Sequence, residues 1–375
     1  MKSNGSKPVR RLLIANRGEI AVRIIRSCRE MGIETVAVYS TADKDSLHVR
    51  LADRAVCIGP PPSARSYLDR NNLVMAAIST GCEAIHPGVG FLSENAGFAR
   101  LVREKGLIFI GPAPETIELL GDKVAARDTA RRFGLPVTPG SAGAVDSAAA
   151  AAKAVKELGF PVIIKAAAGG GGRGMRIVRR AEELAGNLAV ARSEAGANFA
   201  DGTVFIERYL ENPRHVELQI LAGGNRVAVL GERDCSVQKN HQKLIEESPS
   251  PGVTETMRAR MAEGAVNLFR ELKYAGAGTI EFLVEGENFY FMEVNARLQV
   301  EHPVSEFVTG VDIVREQILA CAAGRMELDP DRVALSGWAI ECRINALSPG
   351  KVTRLETPGG PGVRFDGVLY QGCTV

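Results

Sequence analysis

Residues 165–178 have the sequence KAAAGGGGRGMRIV, in which a glycine tract separates two β-prone runs. The tract formally contains G-x-G-x-x-G, but a dinucleotide fingerprint needs a helix after the glycines, with its N-terminus facing a pyrophosphate. The β-branched run MRIV follows instead, and the chain has no G-x-x-x-x-G-K-[ST] loop. The segment therefore predicts a hairpin whose glycine tip folds over bound phosphates, with a plain flexible turn as the alternative.

Upstream of this hairpin, β-branched runs such as LLIA and ETVAVYS alternate with helical stretches. Such alternation is typical of βαβ units and of a parallel sheet covered by helices. We expect an α/β fold that begins with a doubly wound parallel-sheet domain. The predicted helices of this part span residues 18–31, 67–79, 96–104 and 115–133.

Downstream, the alternation becomes hairpin-like around one long helix at residues 254–273. The strands GTIEFLVEG and NFYFMEVNAR meet at a turn at residues 285–288, which predicts another hairpin. A helix is predicted at residues 305–323, followed by the strand WAIECRIN.

Composition limits the classes of function. The 375 residues allow two or three domains at about 150 residues each. A net charge of +2 favours neither nucleic acid nor a membrane surface as partner. No apolar run approaches the roughly 18 residues of a membrane span, and no signal peptide is recognisable, so we expect a cytoplasmic protein. Seven scattered cysteines without a C-x-x-C pair predict reduced thiols and no structural zinc.

Two glutamates stand within otherwise apolar strands, Glu281 in GTIEFLV and Glu293 in FYFMEVNAR. Burying a carboxylate without a partner is costly, so two of them on adjacent strands favour a shared cation. Asn295 follows Glu293 at i+2, on the same face of an extended strand. These hard oxygen ligands suit Mg²⁺ bridging phosphates, whereas a pair of salt-bridged glutamates is the alternative.

Several cationic and polar residues accompany these strands. Lys165 precedes the glycine tract and Lys123 begins a predicted helix, so both are placed to neutralise phosphates, although either alone would more often be a solvated lysine. Arg297, Gln299 and Glu301 continue the i+2 series if the extended conformation persists. An arginine fork beside a carboxylate is suited to holding a small anion next to a base.

Together these residues resemble the ATP-grasp biotin carboxylases, the first-half enzymes or domains of acetyl-CoA, propionyl-CoA and pyruvate carboxylases. The resemblance covers nearly the whole chain and includes LLIANRGEIAVRIIR, KAAAGGGGRGMRIV, ERDCSVQKNHQKLIEESP and MEVNARLQVEHPVSE. It implies an N-terminal domain over residues 1–120, an ATP-grasp domain over 121–328 with a mobile glycine-loop lid at about 138–208, and a partial C-terminal biotin carboxylase subdomain over 329–375.

The resemblance also implies a set of site residues. Metal ligands for Mg²⁺ or Mn²⁺ would be Glu281, Glu293 and Asn295. Bicarbonate would be held by Lys243, Arg297, Gln299 and the backbone of Val300, with Glu301 as base and Arg343 stabilising the enolate-like oxygen of biotin. The implied ATP-binding residues are Lys123, Lys165, Gly171, Gly172, Glu207, Arg208, Tyr209, Leu210, His215 and His241.

The implied activity is ATP- and Mg²⁺-dependent carboxylation of carrier-bound biotin with bicarbonate, through carboxyphosphate. The implied partners are a biotin carboxyl carrier protein or domain, a carboxyltransferase such as that of fatty acid biosynthesis, and a second copy of the chain in a full-length homodimer. The alternatives are another ATP-grasp ligase, such as a carbamoyl-phosphate synthetase or a purine-pathway carboxylating enzyme, and a catalytically silent nucleotide-binding module. Val89 departs from the family pattern, which has tyrosine in the HPGYG block.

Overall fold

The fold is described by a computed structural model for residues 9–141, 143–166, 175–199, 202–240 and 242–375. Within these ranges the strands form three sheets, of five, six and three strands. Among the same residues, none of the helices combines the length and the apolar character required to span a lipid bilayer.

The N-terminal unit is a parallel sheet with helices on both sides. Its strands are β1 (Arg11–Ile14), β2 (Glu34–Ser40), β3 (Arg54–Gly59), β4 (Ala84–His86) and β5 (Ile108–Phe109), in the spatial order β3-β2-β1-β4-β5. Its helices are α1 (Gly18–Glu30), α2 (Leu47–Leu51), α3 (Arg70–Ser79), α4 (Ala96–Glu104) and α5 (Pro114–Gly121), with a 3-10 turn at Ser63–Arg65.

Alternate residues of β1 belong to two separate cores. Leu12 and Ile14 pack in one cluster with Ile24 of α1, whereas Leu13 packs in another with Leu73 of α3. Because successive side chains of a strand point to opposite faces, helices cover both sides of this sheet. The predicted doubly wound parallel sheet is therefore confirmed.

A smaller unit carries the glycine tract. It consists of β6 (Val162–Ala166), β7 (Met175–Val178) and β8 (Val204–Arg208), packed with α7 (Ala148–Leu158) and α8 (Ala181–Phe199), and α6 (Lys123–Arg132) precedes it. Strands β6 and β7 pair antiparallel, with Lys165 opposite Met175. The predicted hairpin is confirmed, and its glycine tip lies outside the described residues.

The third sheet is the platform for the candidate site. Its strands are β9 (Arg214–Gly223), β10 (Arg226–Lys239), β11 (Gln242–Ser248), β12 (Gly276–Glu285), β13 (Asn288–Asn295) and β14 (Ala339–Cys342), in the antiparallel order β13-β12-β9-β10-β11-β14. Its helices are α9 (Glu255–Glu271), α10 (His302–Thr309) and α11 (Ile313–Ala322), with a 3-10 turn at Pro330–Arg332. The predicted hairpin of β12 and β13 is present.

Two helices predicted as continuous are divided. The prediction for residues 115–133 is wrong because Asp122 ends α5 and caps α6, accepting the N–H groups of Val124 and Ala125. The prediction for residues 305–323 is wrong because Gly310 is left-handed, with a φ of 71°, and ends α10. In both places a local capping residue outweighs the apolar periodicity that continues through it.

Candidate active site

A cleft of about 1510 Å³ lies over the six-stranded sheet. Val89 from the N-terminal unit and Phe205 from the three-stranded sheet contribute to its walls, so residues from all three units surround it. The predicted site residues that line it are Lys123, Lys165, Glu207, His215, Lys243, Glu281, Glu293, Asn295, Arg297, Gln299, Val300, Glu301 and Arg343.

Lys243 of β11 occupies the centre of this cleft. Its ammonium group donates to Glu217 at 2.5 Å, to Glu301 at 2.7 Å and to Glu281 at 2.9 Å. Burial alone would lower the pKa of Lys243, but these three carboxylates outweigh it and raise the pKa. Lys243 is therefore a fixed positive charge that joins carboxylates from three parts of the chain.

A buried arginine binds one of the carboxylates that contact Lys243. Arg233 of β10 is fully buried, and its Nε donates to Glu217 at 2.6 Å while another nitrogen donates to Gln219 at 2.7 Å and to Ser305 at 2.9 Å. Glu217 is thus shared between Arg233 and Lys243. Sequence reasoning missed Arg233, and its only signal is the charged run ERD that follows the apolar run VAVL in β10.

Glu281 connects the lysine to a histidine. Nε2 of His215 lies 2.8 Å from the carboxylate of Glu281, and Gln238 contacts the other ring nitrogen at 2.8 Å. Burial lowers the pKa of His215, but the close contact with Glu281 and its charge outweigh this and raise it. Burial raises the pKa of Glu281, but His215 and Lys243 together lower it. Both groups are stabilised in their charged forms.

The oxygen ligands predicted for a metal come together on neighbouring strands. Glu281 and Glu293 are directly opposite each other on β12 and β13, and Asn295 donates to Glu281 at 2.8 Å. Burial and the charge of Glu281 raise the pKa of Glu293. The oxygen atoms of these three side chains are the donors that fit a hard divalent cation such as Mg²⁺.

Arg297 is oriented by a residue from another domain. Its Nε donates to Glu94 at 2.7 Å, and the N–H of Ala296 donates to the other Glu94 oxygen at 2.9 Å. The i+2 placement depended on a continued extended conformation, and this condition is not met because β13 ends at Asn295. Arg297 still contacts Gln299 at 3.1 Å, through a loop rather than a strand. Sequence reasoning did not assign Glu94, although it lies within the block FLSEN.

The nucleotide side of the cleft contains a second ionic cluster. Glu207 accepts from Lys165 at 2.5 Å and from Arg127, which the sequence did not single out. Burial raises the pKa of Glu207, but these two cations outweigh it and lower the pKa.

Other predicted nucleotide-binding residues are placed differently. Arg208, Tyr209 and Leu210 do not line the cleft, and the N–H groups of Arg208 and Tyr209 donate to Pro139 and Pro161. A role for them in binding nucleotide stays a prediction. Gly171, Gly172 and His241 lie outside the described residues.

Arg343 closes the opposite end of the cleft. Its N–H donates to the carbonyl of Leu244, which extends the pairing of β14 with β11. Its guanidinium lies 2.8 Å from Glu301 and 2.6 Å from the fully buried Glu246. Glu301 therefore lies between two cations, Lys243 on one oxygen and Arg343 on the other.

Two family descriptions match consecutive parts of the chain. "Biotin carboxylase, N-terminal domain" matches residues 8–117, and "Carbamoyl-phosphate synthase L chain, ATP binding domain" matches residues 122–328. The second description covers the nucleotide-binding part of the chain. The residues of that part alone would therefore also be compatible with a carbamoyl-phosphate synthetase.

Whole-chain relatives separate the two possibilities. The biotin carboxylase of Allochromatium vinosum is 52% identical over 99% of this chain and 84% of the relative. A Campylobacter jejuni biotin carboxylase, solved as a complex described as β-γ-ATP, is 46% identical with a TM-score of 0.90, covering 98% of this chain and 84% of that one. The biotin carboxylase domain of Hydrogenobacter thermophilus 2-oxoglutarate carboxylase, a dimer with MgADP, ADP and bicarbonate, is 44% identical with a TM-score of 0.89, covering 98% and 83%. The chain belongs to the biotin carboxylase family.

Proposed function

We propose that this chain carboxylates carrier-bound biotin with bicarbonate, using ATP and Mg²⁺ and passing through carboxyphosphate. The observation that carries the proposal is the position of Lys243, which contacts Glu281 of the metal-binding strands and Glu301 of the anion-binding loop. One fixed charge thereby connects a triphosphate site with a bicarbonate site. Phosphoryl transfer depends mainly on such positioning and charge neutralisation.

At the nucleotide end, Lys165 and Lys123 neutralise phosphate charge, and Glu281, Glu293 and Asn295 would hold the divalent ion. When bound, the ion neutralises the phosphate oxygens and orients the terminal phosphoryl group. The MgADP named for the Hydrogenobacter thermophilus relative supports the binding of a nucleotide with Mg²⁺.

At the bicarbonate end, Arg297, Gln299 and the backbone of Val300 hold the anion, and Glu301 accepts its proton. A bicarbonate oxygen then attacks the γ-phosphorus, the bond from that phosphorus to ADP breaks, and carboxyphosphate forms. Carboxyphosphate breaks down to CO₂ and phosphate beside biotin, the phosphate takes the proton of the ureido nitrogen, and that nitrogen forms a bond to CO₂ to give carboxybiotin. Arg343 stabilises the negative oxygen that develops on the ureido ring.

A steady-state assay with free biotin tests this function. We expect ATP hydrolysis that requires bicarbonate and Mg²⁺ and increases with biotin. Turnover that instead requires ammonia or an aminoimidazole nucleotide would contradict it in favour of another ATP-grasp ligase. No turnover in a preparation that binds ATP would indicate a silent module.

The partners follow from this chemistry. Carboxybiotin must be carried to a second site, so a carrier protein or domain and a carboxyltransferase are required. The dimer named for the Hydrogenobacter thermophilus domain supports a homodimer. Co-purification followed by mass spectrometry of the intact assembly identifies the carrier, the transferase and the copy number.

A further inference from the structure

Two glutamates face each other behind the Arg343 guanidinium. In the antiparallel pairing of β11 with β14, Glu246 lies directly opposite Glu341. Glu246 is fully buried and Glu341 is half-buried. Side chains at directly opposed positions have Cβ atoms about 4.5–5.5 Å apart, and like charges there are destabilising.

The charges around this pair do not balance if both glutamates are ionised. Arg343 forms ion pairs with Glu246 at 2.6 Å and with Glu301 at 2.8 Å. It directly follows β14 and lies two residues after Glu341, so both side chains point to the same face. The nearby cations Arg233 and Lys243 are already bound to Glu217. Lys243 also holds one oxygen of Glu301, so Arg343 is the remaining cation for Glu246, Glu341 and the other oxygen of Glu301.

Hydrogen bonding is also incomplete. Within the described part of the chain, neither oxygen of Glu246 nor Oε2 of Glu341 has a hydrogen-bond partner of good geometry, although these atoms are out of contact with solvent. Nε of Arg343 likewise lacks an acceptor, so this guanidinium does not satisfy the glutamate oxygens. Buried polar atoms are normally satisfied, and a further hydrogen-bond donor between the two carboxyl groups would satisfy them. A proton on one of the two carboxyl groups supplies that donor and removes one charge.

We propose that Glu341 is a positioning residue for Arg343: as a neutral acid it donates its O–H to Glu246, so that the glutamate pair carries one negative charge and Arg343 remains directed at Glu301 and the biotin site. The role of Arg343 toward biotin rests on the proposed function. Burial and the charges of Glu246 and Glu301 raise the pKa of Glu341 to about 8, while Arg343 and Arg233 oppose the shift. Burial also raises the pKa of Glu246.

This arrangement makes the biotin end sensitive to alkaline pH. When the O–H bond of Glu341 breaks, the proton leaves to solvent and the carboxylate keeps the electron pair. The second charge draws Arg343 toward the two strands and neutralises more of its charge. The guanidinium then stabilises the ureido oxygen less well, and biotin carboxylation slows more than ATP cleavage without biotin does.

The test compares the pH dependence of biotin-dependent and biotin-independent turnover in wild type and Glu341→Gln. The amide is permanently neutral and still donates to Glu246. At pH 7 we expect kcat within about twofold of wild type. Between pH 8 and 9.5 we expect wild-type biotin-dependent kcat to fall several-fold more than that of E341Q. The control is Glu247→Gln, on the opposite face of β11, which should follow wild type.

Infrared difference spectroscopy between pH 7 and 9.5 observes the proton directly. Wild type and E247Q should lose a carboxylic acid band on raising the pH, and E341Q should lack that band. Coincident pH profiles for wild type and E341Q, or a titrating band that persists in E341Q, would overturn the proposal. If wild type shows no biotin-dependent turnover, the proposed function fails, and the infrared result still decides whether Glu341 holds the proton.

Discussion

The two ends of the cleft hold their charged groups differently. Around Lys243, Arg233 and Glu217 have side chains with no exposure to solvent, and each charge contacts at least one opposite charge. At the nucleotide end, Glu207 is buried, but its partners Lys165 and Arg127 are 35% and 27% exposed. The bicarbonate end is thus a rigid, preorganised charge array, whereas the nucleotide end joins a buried anion to two more mobile cations.

Replacing the central lysine should have the largest effect on stability and on activity. Lys243→Met leaves Glu217, Glu281 and Glu301 buried without their shared cation, and removal of one partner from a buried ion pair costs about 3–5 kcal/mol. We expect a loss of that order in the free energy of unfolding, together with loss of bicarbonate-dependent ATP hydrolysis. Denaturant titration measures the first and a coupled ADP assay the second.

The control for this variant is Lys239→Met, at an exposed lysine on the neighbouring strand β10. It should keep both stability and activity. Equal stability of K243M and K239M would show that the array is not a structural unit.

Removal of the base should affect chemistry without affecting nucleotide binding. Glu301→Gln keeps the shape of the side chain but cannot accept the bicarbonate proton, and general base catalysis contributes roughly 10²–10⁴-fold. We expect kcat to fall by that range while the Kd for ATP, measured by calorimetry, stays within about twofold. Glu287→Gln in the β12–β13 turn is the exposed control. Parallel losses of affinity and kcat would contradict the assigned role.

At the nucleotide end, Glu207→Gln tests how much the buried anion contributes. Removing its charge leaves Lys165 and Arg127 less well held, so we expect a loss of about 1–3 kcal/mol in unfolding free energy and a higher KM for ATP. Because the pKa of Glu207 is lowered in the folded protein, its contribution is complete above the ordinary glutamate pKa of about 4.3 and is lost as the pH falls below it.

The stability difference between wild type and E207Q should therefore shrink on acidification from pH 7 to below pH 4, as urea titrations would measure. Glu157→Gln, at an exposed position on α7, serves as control. A difference that grows on acidification would contradict the lowered pKa.

The smallest effect is expected at the contact between domains. Glu94 orients Arg297, but its side chain is 39% exposed, and exposed ion pairs contribute about 0–1 kcal/mol. Glu94→Gln should raise the KM for bicarbonate up to about fivefold with little change in stability or in the KM for ATP. Glu104→Gln, exposed on α4, should change none of these values. A change in the KM for ATP alone would show that Glu94 acts on nucleotide binding and not on bicarbonate binding.

The sequence predicted the residues whose chemistry shows within one strand or one motif. Glu281 and Glu293 were predicted because a carboxylate in an apolar strand is conspicuous, and family motifs pointed to Lys243 and Arg343. Glu94 was not assigned because its partner Ala296 is 202 residues away. Contacts between distant segments leave no periodicity in either segment, so residues that orient others are the ones sequence reasoning omits.

The same limit applied to the fold. The doubly wound sheet and both hairpins were predicted from alternation, which is a local property. The divisions at Asp122 and Gly310 were missed because the apolar pattern continues across each capping residue. The end of β13 was left open, because the i+2 series Arg297, Gln299 and Glu301 continues past Asn295, and these residues reach the cleft from a loop.

The edge strand β14 brings Arg343 to the cleft from a segment that follows the rest of the site in the chain. During translation, all the proposed groups for phosphate and bicarbonate emerge from the ribosome before this arginine does. A nascent or proteolysed chain that stops before β14 would retain the groups for ATP chemistry but lack the cation that serves the acceptor. We expect such a fragment to hydrolyse ATP without carboxylating biotin.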